Sequence, residues 1–344
     1  MKKSILLAVS VLISLFASAQ DHMYSQFFNS PIYLNPALTG QFKGDLRMSM
    51  IYRNQWTTVG GGGGFQYLTG SVDYNVPQFG GGIGLIFNRS SEGAAFLNKT
   101  NVAATYAYSV GSEDFVLSFG LQAGVTNRTI DFSKLVFTDQ IDARLGFVPG
   151  SVSVAETPAF DNRYYFDAGA GINLVAGKFM IGGAMQHINR PDESFSGVAA
   201  RLPVRTTAHM SYMLNLTGDD NIDDDDRSYV IPSVVVYKQA SASDYNVGMQ
   251  YKRRGINAGL WYRSSGQSGQ PSAFVLSFIF DLFINRDGGE RLRFGISHDA
   301  STSRLNYTNT SGTTEGSLNY ETTLPSHSDP YRKFEGARRC YDFY

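Results

Sequence analysis

From Phe115 to Thr126 the chain changes character at every residue. Phe115, Leu117, Phe119, Leu121, Ala123 and Val125 form one series, while Ser118, Gly120, Gln122, Gly124 and Thr126 fill most of the other. Side chains alternate across a β-strand, so a period of two describes a strand with one large apolar face and one face of small polar groups. The pattern returns in Val102, Ala104, Tyr106, Tyr108 and Val110 against Ala103, Thr105, Ala107 and Ser109. It returns again in Tyr245, Val247, Met249 and Tyr251 against Asn246, Gly248, Gln250 and Lys252. In a water-soluble sandwich the polar face meets solvent and carries Lys, Glu and Arg. Here it carries mainly Gly, Ser, Thr, Gln and Asn, which suits the crowded interior of a closed barrel whose apolar residues face lipid.

Composition agrees with that reading. Charged residues are 17% of the 344, against ~25% in an average soluble domain. There are 20 Tyr, 24 Phe and 36 Gly but only 2 Trp, a mixture suited to strands. A net charge of -1 offers no basic face for nucleic acid. A mean hydropathy of -0.18 is too polar for a bundle of membrane helices, and 42% hydrophobic residues is too many for a disordered chain.

Segments of this kind predict strands over 44–55, 65–76, 80–89, 97–110, 114–126, 162–175, 178–189, 203–216, 228–239, 244–252, 255–264, 272–283, 290–299 and 314–324. The fold class expected is all-β: a transmembrane antiparallel barrel of about 14 strands, an even number as single-chain bacterial barrels have. Connections after even strands are mostly short (Gly111 to Glu113, Ala176-Gly177, Arg253-Arg254), whereas those after odd strands include the long Asn127 to Asp161 and Arg190 to Leu202 segments. Short periplasmic turns, long outer loops and both termini on the periplasmic side follow from that asymmetry.

The expected organisation has four parts: 1–19 a signal peptide, 20–43 an irregular N-terminal segment, 44–324 the barrel and 325–344 a periplasmic tail. Lys2 and Lys3 precede an apolar run from Ile5 to Phe16, and Ala17-Ser18-Ala19 is a small-residue cleavage pattern that sets the mature start at Gln20. Cys340 is the only cysteine, so no internal disulfide forms. Pro31 and Pro36 each remove a backbone donor and bias Ser30 and Asn35 away from the helical region, so the N-terminal segment reads as extended and irregular. Two readings stand for it, a plug inside the lumen or a tether packed beneath the barrel.

The opening motif Tyr24-Ser25-Gln26-Phe27-Phe28, then Pro31-Ile32-Tyr33-Leu34-Asn35-Pro36-Ala37 with Gly40 following, closely resembles that of the PorP/SprF family of type IX secretion and gliding-motility membrane proteins. Tyr52-Arg53-Asn54-Gln55-Trp56 is similar to the family's second motif. Further similarity lies in Phe137-Thr138-Asp139-Gln140-Ile141-Asp142, in Gly295-Ile296-Ser297-His298-Asp299, and in Gly312 to Tyr320. The C-terminal end departs from the family's Cys-Pro-x-Phe pattern, since Cys340 is followed by Tyr341, Asp342, Phe343 and Tyr344. The resemblance implies an outer-membrane barrel of Bacteroidota. Its implied partners are outer-membrane lipid, periplasmic type IX ring or peptidoglycan-binding components and, for some members, the C-terminal domain of a secreted adhesin.

Among the five histidines, His298 stands in the one tempting cluster, Ser297-His298-Asp299. Neighbours on a strand point to opposite faces, so His298 shares a face with neither Ser297 nor Asp299 and no triad is expected. No catalytic, cofactor or metal site is assigned. The sharpest charge feature is Asp219, Asp220, Asp223, Asp224, Asp225 and Asp226 within one turn. A solvated turn, a calcium ion or a basic protein partner would each relieve its repulsion, though the spacing lacks the Gly and closing Glu of an EF-hand loop. Partner binding on the periplasmic side is the functional reading, with the basic tail residues Arg332, Lys333, Arg338 and Arg339 as its intramolecular alternative. Arg53, Arg89, Arg128, Arg163, Arg190, Arg205 and Arg263 fall near outer strand ends, where they either select anions or pair with carboxylates or lipid headgroups. Gly60 to Gly64 reads as a flexible outer loop.

The function expected is therefore a non-enzymatic outer-membrane component of the type IX secretion or gliding machinery, docking periplasmic components and exporting or anchoring an adhesin. The alternative is a FadL-like or porin-like passive channel for small solutes.

Overall fold

The computed structural model describes residues 21–58, 64–76, 80–93, 97–148, 150–155, 159–217, 227–265, 271–285, 290–302, 307–324 and 340–343. Its strands are β1 (Leu46–Gln55), β2 (Phe65–Val76), β3 (Gly81–Glu92), β4 (Leu97–Gly111), β5 (Phe115–Thr129), β6 (Asn162–Ala176), β7 (Phe179–Gln186), β8 (Arg205–Tyr212), β9 (Ser228–Gln239), β10 (Ala242–Arg253), β11 (Ile256–Ser265), β12 (Pro271–Asn285), β13 (Glu290–Ser301) and β14 (Thr313–Thr322). Each pairs antiparallel with its neighbours in sequence, and β14 pairs with β1 from Leu46↔Thr322 to Gln55↔Thr313. The result is a closed 14-strand barrel, with Leu214–Asn215 prolonging β8 along β9. Closure matters because hydrocarbon offers no partner to a free strand edge.

The alternation fixes which way each strand faces. Met48, Met50 and Tyr52 on β1 are exposed on the outer wall, while Arg47, Ser49, Ile51 and Arg53 are buried inside. On β4 and β5, Tyr106, Phe119 and Leu121 point outward and Ala103, Thr105 and Ser118 inward. Val247 and Phe278 follow the same parity. Two-residue and three-residue turns join β4 to β5, β6 to β7 and β10 to β11 at one rim, where β1 also starts and β14 ends. The long segments 130–161 and 187–204 leave the other rim. The connection of β9 to β10 is an exception there: it is only Ala240-Ser241, with Ala240 at φ 52°.

What fills the barrel is its own N-terminal segment. Every residue from Tyr24 to Phe42 is buried, so this stretch is a plug. It is irregular, as expected, but not extended. Pro31 begins a helical turn over Pro31–Leu34, and Pro36 a 3-10 turn over Pro36–Leu38, because proline's fixed φ suits a first helical position. Ser30 (φ -130°) and Asn35 (φ -159°) keep out of the helical region just before each proline. Of the tail expected over 325–344, only Cys340–Phe343 is described. It is a 3-10 turn at the short-turn rim, where Gln250 Nε2 donates to the Phe343 carbonyl at 2.6 Å and Phe343 packs with Leu38, Val175, Met180 and Ile231.

Candidate functional site

Four of the five family-like motifs, scattered along the chain, meet at one buried charge cluster around Ser25. Parity directs Arg53 of β1, Arg263 of β11, Asp299 of β13 and Glu315 of β14 into the lumen, all at 6% exposure or less. The Ser25 hydroxyl donates to the Asp299 carboxylate at 2.8 Å and accepts from Arg263 at 2.6 Å and Arg53 at 3.3 Å. Its backbone N–H donates to Glu315 at 2.8 Å, and that of Gln26 does so at 2.9 Å. Arg53 also donates directly to Glu315, and Arg263 to Asp299 at 2.9 Å. Two guanidinium groups thus face two carboxylates, a neutral set that satisfies two amide donors of the plug. Buried ions are tolerated only when paired and hydrogen-bonded in this way.

The second motif divides by parity around this cluster. Gln55 faces inward and accepts from Arg53 Nε at 3.2 Å, whereas Tyr52 lies on the outer wall. Asn54 follows Tyr52's parity, and Trp56 sits at the rim with its ring 5.8 Å from that of Phe65. The same division separates Ser297 and Asp299, buried inside, from His298, whose ring bonds Thr314 and Tyr307 on the other side.

The rest of the opening motif is equally committed. Gln26 Nε2 donates to Ser297 Oγ at 3.2 Å, and its Oε1 accepts from Asn29 and Ser317. The Tyr24 hydroxyl bonds Thr69 at 2.8 Å. Tyr33 donates to the His22 carbonyl at 2.6 Å and accepts from Arg205 at 2.8 Å. The Arg205 guanidinium lies 4.9 Å from both the Tyr33 and Tyr237 ring centroids, a cation–π arrangement. Asn35 accepts from the Ala37 amide at 2.9 Å and donates to the Ile172 carbonyl at 2.9 Å, so one side chain caps a turn and ties it to β6.

Glycines mark where the plug runs along the wall. A Cβ on Gly295 would lie 2.1 Å from Gln26 Oε1, on Gly171 2.0 Å from Asn35 Oδ1, on Gly120 2.2 Å from the Ala37 nitrogen and on Gly82 2.4 Å from Gly40 Cα. Four strands therefore lack a side chain where the plug touches them.

Other buried ion pairs escaped sequence reading. Arg47 and Asp73 pair at 2.7 Å beneath the plug, where Asp73 also accepts the Gly40 amide at 2.7 Å. Arg293 pairs with Asp281 at 2.6 Å and Arg291 with Glu321 at 2.8 Å. The signal was present, since Arg47, Asp73, Asp281 and Arg293 each occupy an inward parity position. At the opposite, long-loop rim, Asp21 bonds Lys99 at 2.9 Å, His187 at 2.7 Å and Gln239 at 2.9 Å. Burial works against its charge, yet Lys99 and His187 hold the Asp21 carboxyl well below the usual carboxylate range. Burial likewise opposes the imidazolium of His187, but Asp21 and Asp167 outweigh it and raise its pKa. A cavity of about 70 Å³ lies beside this head of the plug.

The arginines do not line an open pore. Arg53 and Arg263 belong to the Ser25 cluster, Arg205 to Tyr33, and Arg128 and Arg163 lie near Glu193 (3.7 Å) and Asp192 (3.4 Å) of the outer loops. Arg89 and Arg190 are exposed, Arg89 on the outward parity of β3. The motif Phe137 to Asp142 lies in the outer segment 130–161, where it braces a small loop. Asp139 accepts from Val154 N at 2.7 Å and Gln140 donates to the Ser151 carbonyl at 2.7 Å. The Val154 amide, with the Ser153 hydroxyl donating beside it, holds the exposed Asp139 carboxyl below its ordinary value. Asp219, Asp220 and Asp223 to Asp226 lie outside the described residues, as do Gly60 to Gly63 and Arg332, Lys333, Arg338 and Arg339. The strands flanking the acidic turn, β8 and β9, end and begin at the short-turn rim.

Solved structures with a limited likeness to this chain include an outer membrane protein and two monoaromatic hydrocarbon channels. The outer membrane protein Omp33 of Acinetobacter baumannii is 7% identical, covering 81% of this chain and 99% of its own, with a TM-score of 0.40. The CymD monoaromatic hydrocarbon channel is 15% identical over 90% of this chain and 95% of its own, with a TM-score of 0.45. The TodX channel, in a deletion mutant, is 10% identical over 86% and 94%, with a TM-score of 0.43. No curated protein matches. A family model described as "Type IX secretion system membrane protein PorP/SprF" matches residues 16–320, nearly the whole chain. Together with the closed barrel and the convergence of four of its motifs on the plug, that match places the chain in the PorP/SprF family of type IX secretion system membrane proteins.

Proposed function

We propose that this protein is a non-enzymatic scaffold of the type IX secretion or gliding machinery: a barrel kept shut by its own plug, whose short-turn rim docks periplasmic components. The observation that carries this reading is the Ser25 cluster. A segment tied by charge-assisted bonds to four strands, and fitted to four bare glycines, is built to stay. Closure of the lumen shifts function from conduction to the rims and the outer wall. The short-turn rim, with both ends of the barrel, is the periplasmic one by the usual asymmetry of such barrels. The sequence between β8 and β9 carries Asp219, Asp220 and Asp223 to Asp226, a concentration of negative charge that would speed encounter with a basic partner and weaken as salt rises. The opposite orientation of His298 and its two neighbours supports a role without catalysis. Anchoring or export of an adhesin would use the long-loop rim, where the motif Phe137 to Asp142 braces its loop.

The test is affinity capture from cross-linked outer membranes. Changing Asp223 to Asp226 into Asn should leave membrane insertion intact and reduce recovery of periplasmic machinery at low salt. Undiminished recovery, or labelling of this turn by an impermeant reagent on intact cells, contradicts the docking assignment.

A further inference from the structure

Five arginines are almost wholly buried among the described residues, and four of them face a carboxylate. Arg47 pairs with Asp73, Arg53 with Glu315, Arg263 with Asp299 and Arg293 with Asp281. The fifth is Arg205, 3% exposed, and no carboxylate among the described residues comes within 4 Å of its guanidinium. It touches the Tyr33 hydroxyl at 2.8 Å and the rings of Tyr33 and Tyr237, all of them neutral. A buried cation without a counter-charge is costly. Arg205 lines the cavity of about 70 Å³ at the head of the plug. The three carboxylates that line it as well are committed to other groups: Asp21 to Lys99, His187 and Gln239, Asp167 to His187, and Glu92 to the Tyr67 hydroxyl. Two further lining atoms, Gln122 Oε1 and His22 Nε2, are buried with no hydrogen-bond partner among the described residues. A half-turn of the Gln122 amide, or the Nε2–H tautomer of His22, makes each of them a donor.

We infer that this cavity is a binding site for one small carboxylate anion, of the size of formate or acetate, held by Arg205. A guanidinium presents five N–H donors in a planar fork, and among the described residues only one hydrogen bond from Arg205 is spent, on Tyr33. Two parallel bonds to the paired oxygens of a carboxylate match that fork, a geometry that a spherical halide does not supply. Lys99 lines the same cavity and bonds only Asp21 among the described residues, so its ammonium has donors to spare. Volume limits the occupant. Water takes about 30 Å³ in the liquid, so a cavity of about 70 Å³ admits a carboxylate and little more than a methyl group. Charge limits it too, because a phosphate dianion would exceed the one unmatched cation. The anion would join β8, which carries Arg205, to the head of the plug, which carries His22 and Tyr33.

The experiment equilibrates the full-length protein, in mild detergent, with sodium gluconate, a carboxylate too large for the cavity. Acetate or chloride then replaces gluconate at constant sodium, and the unfolding temperature is read from heat-modifiable mobility. Acetate should raise that temperature saturably in the wild type, since a ligand that binds only the folded state stabilises it, and chloride should not. Arg205→Gln should weaken the apparent acetate affinity by about tenfold or more. Arg163→Gln, which removes an outer-rim arginine already paired with Asp192 at 3.4 Å, should respond as the wild type does. If Arg205→Gln does not assemble, Arg205→Lys keeps the charge without the fork and should lose the preference for acetate over chloride. A wild-type barrel indifferent to acetate would mean that water alone fills the cavity, and would overturn the site. An equal response to chloride, or an equal loss in Arg163→Gln, would reduce the effect to general screening of charge and overturn it as well.

Discussion

Arg53 of β1 and Glu315 of β14 stand directly opposite one another in the ladder that closes the barrel, and the ion pair they form accepts the backbone amide of Ser25. The seam that shuts the cylinder is therefore also the seat of the plug. Each charge is desolvated by the plug and compensated by its partner, so seating and closure stabilise one another.

Removing one partner should expose that coupling. Arg53→Met leaves Glu315 and Asp299 short of a cation, and breaking a buried pair costs about 3–5 kcal/mol. Arg53→Met combined with Glu315→Met should cost less than the single change. Unfolding temperatures from heat-modifiable mobility check both, and equal losses for single and double variants would contradict the coupling.

The glycine positions offer a steric test of the plug's path. Gly171→Val or Gly295→Val places carbon where Asn35 or Gln26 now lies, so the plug should be dislodged, with increased protease cleavage within residues 24–42. Gly316→Val, facing open space outside, should leave cleavage unchanged.

The outer wall is tested by charge. Phe119→Arg or Leu117→Arg should cost roughly 2–4 kcal/mol if near the bilayer midplane, and Arg at Gln122, on the opposite parity, should cost less. Refolding titrations into lipid vesicles measure the difference, and equal effects at both parities would refute the assigned faces.

The head of the plug carries a pH dependence with a definite sign. His187 has a raised pKa, so its contribution is complete below the ordinary imidazole value and is lost as pH rises through the raised one. Asp21 has a lowered pKa, so its contribution is present above the ordinary carboxylate value and is lost as pH falls through the lowered one. Wild-type thermal stability should therefore decline on the alkaline side, and His187→Asn should flatten that limb. Parallel alkaline limbs would show that His187 does not tie the plug.

Much of this architecture was legible because parity is a local property. The run from Phe115 to Thr126 announces its two faces without knowledge of any neighbour, and the strand ends followed within a few residues. Parity also foretold that Ser297 and Asp299 part from His298. It could not foretell that Ser25 would meet Glu315, 290 positions away, because the plug has no period and its contacts depend on the three-dimensional closure. Pro31 and Pro36 misled for a related reason. Their missing donors argue against helix interiors, but each begins a turn too short to need that donor. Arg47 and Asp73 were overlooked since each looks like a solvated charge until the lumen is seen to be filled.

The central claim is that the lumen is closed by a plug that stays in place, and recordings from purified protein in planar bilayers test it most directly. The wild type should show no steady, large conductance steps, whereas Gly295→Val, with Gln26 displaced, should show them. Steady, large steps from the wild-type barrel would contradict the account and favour a passive channel for small solutes.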